Sequence, residues 1–151
     1  TATAGRVISH HSYLEHGPRA GSIPRRNSGS LIAVETGAAT PYSLDALYDR
    51  GTFFVEPGEQ VYEGQVVGEH CRDNDLEVNV VRTKKLSNVR AAGKDDATSV
   101  RPLKRIKLEE ALEFVVEGEL VEITPDNIRI RKQLLKEADR RRANRKAKSN
   151  K

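Results

Sequence analysis

Methionine and tryptophan are absent from this chain, and cysteine occurs once, at Cys71. One cysteine excludes a disulfide within the chain and fits a reducing compartment, so we expect a cytoplasmic location. No apolar run approaches the ~20 residues that a transmembrane helix needs, and the first residues show no signal-peptide pattern. We therefore expect no membrane partner. Because Thr1 replaces the usual starting methionine, we expect the sequence to be a piece of a longer or processed protein.

The sequence also lacks the motifs of common catalytic sites. It has no glycine-rich loop ending in Lys-Ser or Lys-Thr, so we expect no GTP or ATP bound in that manner. GxSxG and HExxH are absent as well. The histidines and Cys71 do not have the spacing of a structural zinc site. We expect no catalytic residue, no cofactor and no metal in this chain; a small enzyme that uses Cys71 or a histidine is the alternative.

Charge is arranged in blocks of alternating sign. Residues 44–81 carry nine acids against two arginines, a net charge of −7. Residues 82–107 carry nine lysines and arginines against two acids, a net charge of +7. Residues 108–128 return to −7, and residues 129–151 reach +9. Two cationic blocks on an otherwise acidic chain favour a polyanionic partner, although solvated charged faces are the alternative.

The first cationic block is the main candidate binding segment. Alanines and a glycine at 91–93 let a backbone approach closely, and no aromatic residue lies inside the block. Contact with phosphate and ribose is therefore favoured over base stacking, and duplex or folded nucleic acid over single strands. These residues do not by themselves separate RNA from DNA. The predicted binding residues are Lys84, Lys85, Asn88, Arg90, Lys94, Lys104, Arg105 and Lys107 here, and Arg141, Arg142 and Arg145 in the C-terminal block.

Periodicity predicts an α+β fold that is rich in β structure, with a curled or barrel-like mixed sheet and short helices. The predicted strands cover residues 7–14, 30–35, 52–55, 65–69, 76–81, 119–124 and 127–132. Turns are predicted at Pro57–Gly58, 63–64, 72–75 and Pro125–Asp126.

Three helices are predicted. The first is capped by Ser43 and ended by Gly51. The second covers residues 108–115. Its predicted apolar side contains Leu108, Ala111, Leu112 and Val115. The third runs from residue 133, is anchored by Leu134 and Leu135, and continues as a basic tail that frays beyond Ala138.

Several runs carry a family resemblance. RGTFFVEPGEQVYEGQVVGEH at 50–70, NDLEVNVV at 74–81 and KKLSNVRAAG at 84–93 resemble the C-terminal region of the BipA/TypA ribosome-associated translational GTPases. LEEALEFV, ELVEITPDNIRIRK and DRRRANR are similar to that family too. TATAGRVISH resembles the junction that follows the family's elongation-factor-like domain. Departures are minor: Ser87 where threonine is expected, and Val89 and Ile106 where methionine is expected.

The resemblance implies three parts: a junction at 1–10, the family's C-terminal domain at 11–137, and a basic tail at 138–151. It implies a monomeric, ribosome-docking module of a GTPase that functions in ribosome assembly and stress-responsive translation. The implied partners are large-subunit rRNA and the acceptor end of A-site tRNA, contacted through the KKLSNVRAAG loop and the stretch around Arg105. GTP and magnesium are implied only for a GTPase domain outside this sequence. The alternative is a protein-interaction or structural domain that steadies the GTPase without touching RNA.

Overall fold

A computed structural model of the chain describes residues 15–18, 26–83 and 104–149. The strands, in chain order, are β1 (Ser30–Ala33), β2 (Gly37–Ala38), β3 (Gly51–Phe53), β4 (Gln60–Val61), β5 (Gln65–His70), β6 (Leu76–Val78), β7 (Glu119–Ile123) and β8 (Ile128–Lys132). The helices are α1 (Pro41–Ala46), α2 (Leu108–Phe114) and α3 (Glu137–Ser149), with a 3₁₀ turn at Tyr48–Arg50. The predicted strand at 7–14 lies outside the described residues.

A six-stranded mixed sheet forms the centre of the fold. Its order is β6-β1-β5-β8-β7, and β3 also pairs with β5. β3 and β8 pair with different parts of the same edge of β5: Phe53 of β3 pairs with Gly68, and Ile130 of β8 pairs with Val66. The β1–β6 pair is parallel and the other pairs are antiparallel. The predicted α+β class and mixed sheet are confirmed. The described strands do not close into a barrel, so the barrel-like form is not confirmed.

Two apolar clusters lie on either side of β5. Val67 belongs to the cluster that contains Leu31 and Leu44 of α1. Its neighbour Val66 belongs to the cluster that contains Ile130 and Phe114 of α2. Successive side chains of a strand point to opposite faces of the sheet. β5 is therefore buried on both faces, which explains its run of apolar and small residues.

The start of α1 differs from the prediction. Thr40, not Ser43, is the N-cap residue, and its hydroxyl accepts a hydrogen bond from the Ser43 amide at 3.2 Å. Ser43 lies inside the helix and is buried, where its hydroxyl donates to the carbonyl of Val80 at 2.9 Å. Both residues favour caps. With Thr40 as the cap, Pro41 takes the first helical position, where its fixed φ suits the helix and its missing N–H leaves no donor unpaired. Gly51 follows the 3₁₀ turn and does not end α1.

The buried side of α2 also differs from the prediction. Ala111 and Phe114 are buried, whereas Leu112 is exposed. Phe114 packs edge-to-face on Phe54 with ring centroids 5.3 Å apart. α2 has only seven residues, so a single narrow strip contacts the sheet and the large Phe114 ring determines which strip it is. The predicted face containing Leu112 is therefore wrong.

The later elements agree in kind but differ in extent. β6 ends at Val78 instead of residue 81, and α3 begins at Glu137 instead of residue 133. α3 continues to Ser149, so the structure does not show the fraying predicted beyond Ala138. Gln133 is held outside the helix because its amide donates to the carbonyl of Gly118 at 2.8 Å. The four predicted turns and the β7–β8 hairpin are found. No helix in the described part of the chain is both long and apolar enough to cross a membrane.

Candidate nucleic-acid interface

The structure describes two groups of the predicted binding residues. Lys104, Arg105 and Lys107 lie in the segment that leads into α2, and Arg141, Arg142 and Arg145 lie on α3. No hydrogen bond or ion pair joins these two groups within the described ranges. The remaining residues, Lys84, Lys85, Asn88, Arg90 and Lys94, lie outside the described residues, so their assignment stays a prediction.

The segment 104–107 is fixed to the body of the domain. The amide of Lys104 donates to the carbonyl of Phe53 at 3.2 Å, which ties the segment to β3. The amide of Lys107 donates to the Glu110 carboxylate at 3.4 Å, a contact that supports the first turn of α2. The cations of this segment are therefore presented from a defined backbone.

Acidic neighbours partly neutralise that segment. Arg105 Nε lies 2.6 Å from Glu56 Oε1, although the Arg105 side chain is 80% exposed. The hydrogen bond and the charge of Arg105 lower the pKa of the Glu56 carboxyl, and Glu56 raises the pKa of Arg105 in turn. Lys104 Nζ lies 4.0 Å from Glu110 Oε1. A phosphate that binds here has to compete with these two carboxylates. The charge pattern of the sequence did not predict this competition.

A cleft of about 380 Å³ opens beside Arg105. Apolar side chains of Phe54, Ile106 and Ile128 contribute to its wall, and the turn of the β7–β8 hairpin closes one side. Ile123 also lines it and is 63% exposed. The cleft therefore combines an apolar wall with a charged rim.

Helix α3 is docked at its first turn by Arg140. Arg140 Nη2 lies 2.9 Å from Glu77 Oε1 on β6, and its Nη1 donates to the carbonyl of Leu134 at 2.9 Å. Burial raises the pKa of the Glu77 carboxyl, and the nearby Glu137 carboxyl raises it further, although Arg140 acts in the opposite direction. The sequence does not distinguish Arg140 from the other cations of the predicted basic tail, so this contact with Glu77 was not predicted.

The other cations of α3 remain exposed. The side chain of Arg141 is 71% exposed and that of Arg142 is 78% exposed, and Arg145 is exposed as well. Arg141 pairs with Glu137, and Arg142 Nη1 lies 3.7 Å from Asp139 Oδ1. Exposed pairs of this kind contribute only ~0.2–0.5 kcal/mol each. They are weak enough for a phosphate to displace the carboxylates.

A buried ionic network holds the sheet together on the side of α2. Glu119 has a fully buried side chain, and its Oε1 accepts from Arg26 at 2.7 Å and from Lys132 at 2.8 Å. The Ser30 hydroxyl donates to the same oxygen at 2.6 Å. Arg26 also stacks over the Phe114 ring, 3.7 Å from its centroid. The network joins β1, β7, β8 and α2.

Asp75 completes this network from the turn before β6. Its Oδ2 accepts from Lys132 Nζ at 2.5 Å, and its Oδ1 accepts from the Ser30 amide at 2.9 Å. Burial raises the pKa of the Asp75 carboxyl, but these hydrogen bonds and the positive charges of Lys132 and Arg26 outweigh burial, so the pKa lies below its ordinary value. The sequence holds a signal for Lys132 only: Ile128 and Ile130 alternate with arginines in β8, which places Lys132 on the face of the two isoleucines, whereas adjacent Leu120 and Val121 leave the inward face of β7 undecided.

Comparison with known proteins identifies the domain. The family model of the TypA/BipA C-terminal domain matches residues 28–137. The chain belongs to this family. That match confirms the resemblance carried by the motifs between residues 50 and 132. It ends at the first residue of α3, so the exposed cations of that helix lie beyond the matched region.

Curated relatives agree with the family match. The chain is 45% identical over 148 residues to "Large ribosomal subunit assembly factor BipA" of Bacillus subtilis (strain 168), covering 97% of this chain. It is 46% identical over 146 residues to the protein of the same name from Haemophilus influenzae, and 47% identical over 146 residues to that of Escherichia coli (strain K12), covering 96% of this chain in each case. The chain spans 24% of the length of each relative.

Proposed function

We propose that this chain is an RNA-contacting module that docks a translational GTPase on the large ribosomal subunit during subunit assembly. The observation that carries the proposal is the exposed cationic side of α3, in a domain whose relatives are named as large-subunit assembly factors. Cations that are exposed and only weakly paired are free to bind phosphates. The segment at 104–107 adds a second, partly neutralised basic surface.

The proposed partners are large-subunit rRNA and the acceptor end of A-site tRNA. Phosphate contacts are assigned to the cations of the 84–94 loop, of the 104–107 segment and of α3, with Asn88 as an amide donor in the loop. The domain acts as a monomer in the cytoplasm, without a membrane partner, and serves ribosome assembly and stress-responsive translation. GTP and magnesium bind to a GTPase domain elsewhere in the parent protein, and this chain is not itself an enzyme.

A protein-interaction role is the second candidate. The cleft beside Arg105 and the exposed Ile123 on its wall favour it, because exposed apolar surface beside a rim of charge is typical of protein contacts. In that role the domain steadies the GTPase without touching RNA. The two functions differ in how binding responds to salt.

Co-sedimentation with purified large ribosomal subunits tests the proposal. Binding through about five phosphate contacts weakens steeply as salt rises, whereas binding through an apolar interface hardly changes. We expect the steep response from the unmodified chain. A salt-independent interaction would favour the protein-interaction role, and no interaction of the chain with large subunits would refute the proposal.

Substitution of the central loop tests its predicted residues. Replacing Lys84, Lys85 and Arg90 together by alanine should weaken subunit binding by about tenfold, because three phosphate contacts are lost. The thermal midpoint should change little, since surface cations seldom stabilise a fold strongly. The matched control replaces Arg50, Arg72 and Lys136 by alanine, which removes the same charge from exposed positions outside the predicted binding residues. Equal losses from both variants would contradict a specific role for the loop.

A further inference from the structure

One arginine holds the beginning of α3 against the sheet. The guanidinium of Arg140 contacts Glu77 on β6 and the carbonyls of Leu134 and Leu135 in the turn that precedes the helix. The Arg140 side chain is only 12% exposed. A planar guanidinium offers several donors in a fixed fork, so it serves both the carboxylate and the carbonyls at once. A lysine has one compact ammonium group and reaches these acceptors less well.

The turn before α3 is also fixed by a backbone contact. Gly64 has a φ of +86°, and a Cβ at this position would lie 2.6 Å from the Cα of Leu135. The carbonyl of Gly64 accepts from the Lys132 amide at 2.9 Å, which holds the end of β8 at the same point. The chain therefore enters α3 along a direction that the sheet determines.

The exposed cations lie on the side of α3 away from this anchor. At about 100° per residue, Arg141, Arg142, Arg145 and Lys146 fall within an arc of about 140°, and Arg140 lies about 100° or more outside it. All four are exposed, and α3 contains no aromatic residue. The Arg140 side of the first turn therefore contacts the sheet, and the opposite side presents four exposed cations, two of which pair weakly with Glu137 and Asp139.

We propose that α3 is a pre-positioned RNA-binding element whose direction is set by Arg140. Arg140 is a positioning residue: it binds Glu77, and the four exposed cations bind the phosphates of duplex or folded RNA. Holding the helix before contact reduces the conformational entropy that binding removes. The absence of aromatic side chains from α3 directs it to backbone phosphates instead of unpaired bases. This inference rests on the proposed function, because it gives one of the proposed RNA contacts a mechanism.

An arginine-to-lysine pair tests the role of Arg140 at constant charge. Arg140→Lys and Arg72→Lys make the same chemical change, but only Arg140 is anchored to β6, and Arg72 is an exposed residue outside the proposed RNA contacts. The affinity of each 151-residue variant for a fluorescein-labelled RNA duplex is measured by fluorescence anisotropy over a salt series. We expect Arg140→Lys to bind about threefold more weakly with a shallower salt slope, since fewer phosphates are engaged together. Arg72→Lys should retain the slope and stay within about twofold of the unmodified affinity.

A pair of acid-to-alanine substitutions separates the anchor from net charge, because the two predict opposite changes in the RNA affinity of Glu77→Ala. Glu77→Ala and Glu117→Ala each raise the net charge by one, and Glu117 is an exposed residue after α2. Net charge alone predicts tighter RNA binding by both variants. Loss of the anchor predicts weaker binding by Glu77→Ala and tighter binding by Glu117→Ala. This pair keeps the test valid if Arg140→Lys alters the stability of the fold.

The outcomes separate the two levels of the proposal. If Arg140→Lys and Glu77→Ala bind RNA as tightly as their matched controls, the positioning role of Arg140 is refuted while the proposed function stands. If the unmodified chain shows no salt-dependent binding to the RNA duplex or to large subunits, the proposed function fails and this inference fails with it. Weaker binding and a shallower slope for both anchor variants, with unchanged slopes for both controls, support the inference.

Discussion

Replacing Glu119 by alanine should destabilise the domain more than replacing any exposed acid. The change leaves two cations without their shared carboxylate, and their side chains are only 9% exposed for Arg26 and 10% for Lys132. Removing one partner of a buried ion pair costs about 3–5 kcal/mol. Lys132 keeps its contact with Asp75, so the loss should lie near the lower limit, at about 3 kcal/mol. For a domain of this size that corresponds to a fall of roughly 10 °C in the thermal midpoint.

Urea denaturation at neutral pH measures this loss, with Glu122→Ala as the matched control. Glu122 lies on the same strand and also pairs with an arginine, since Arg131 Nε lies 2.6 Å from its Oε1. That pair is partly exposed, and Glu122 also accepts from the Tyr62 hydroxyl at 2.5 Å, so its removal should cost about 1–2 kcal/mol, still less than the loss of Glu119. Equal losses from the two variants, with unchanged m-values, would show that the buried network does not stabilise the fold in the way argued. A loss below ~1 kcal/mol for Glu119→Ala would do the same.

Two further predictions concern the turns and the response to acid. Gly64→Ala should lower the free energy of unfolding, measured by urea denaturation, more than twice as much as Gly58→Ala. Both glycines have positive φ, so each change costs about 1–2 kcal/mol. Only at Gly64 does the new Cβ also meet backbone atoms. Similar losses would mean that the contact with the chain before α3 yields easily. Asp75 should contribute stability above its unfolded pKa of about 3.9, and this should be lost as pH falls through its lower folded pKa. Urea denaturation from pH 5 downwards should therefore show a weaker acid dependence for Asp75→Asn, and identical curves for the two proteins would contradict this assignment.

The sheet could largely be predicted from the sequence because its signals are local. The alternation of isoleucine and arginine over residues 128–131 of β8 and the turn at Pro125–Asp126 predict a hairpin, and the structure contains it. The short run Val66-Val67-Gly68 between two predicted turns predicts a strand at β5, although its burial on both faces depends on which elements pack there. The parallel pairing of β1 with β6 has no local signal, since it depends on how the connecting elements place the two strands.

The site was less predictable, because its charged residues have different roles in similar sequence surroundings. Arg140 and Arg141 are adjacent and chemically identical, yet one is anchored to Glu77 and the other is exposed. Only the position of β6 distinguishes them. Glu119 and Lys132 were read as parts of charge blocks, although both are buried in one network. Charge counts identify a polarised chain, but they do not show which charges are already paired within the protein.

The position of β5 also determines how the domain unfolds. This strand shares hydrogen bonds with β1, β3 and β8, and its neighbouring residues Val66 and Val67 belong to separate apolar clusters. Neither cluster can be exposed while β5 remains fully packed on both faces. Loss of one layer therefore removes the support of the other, and we expect the two layers to unfold in a single cooperative transition. The strand couples the α1 layer and the α2 layer thermodynamically, even though their cores lie on opposite faces of the sheet.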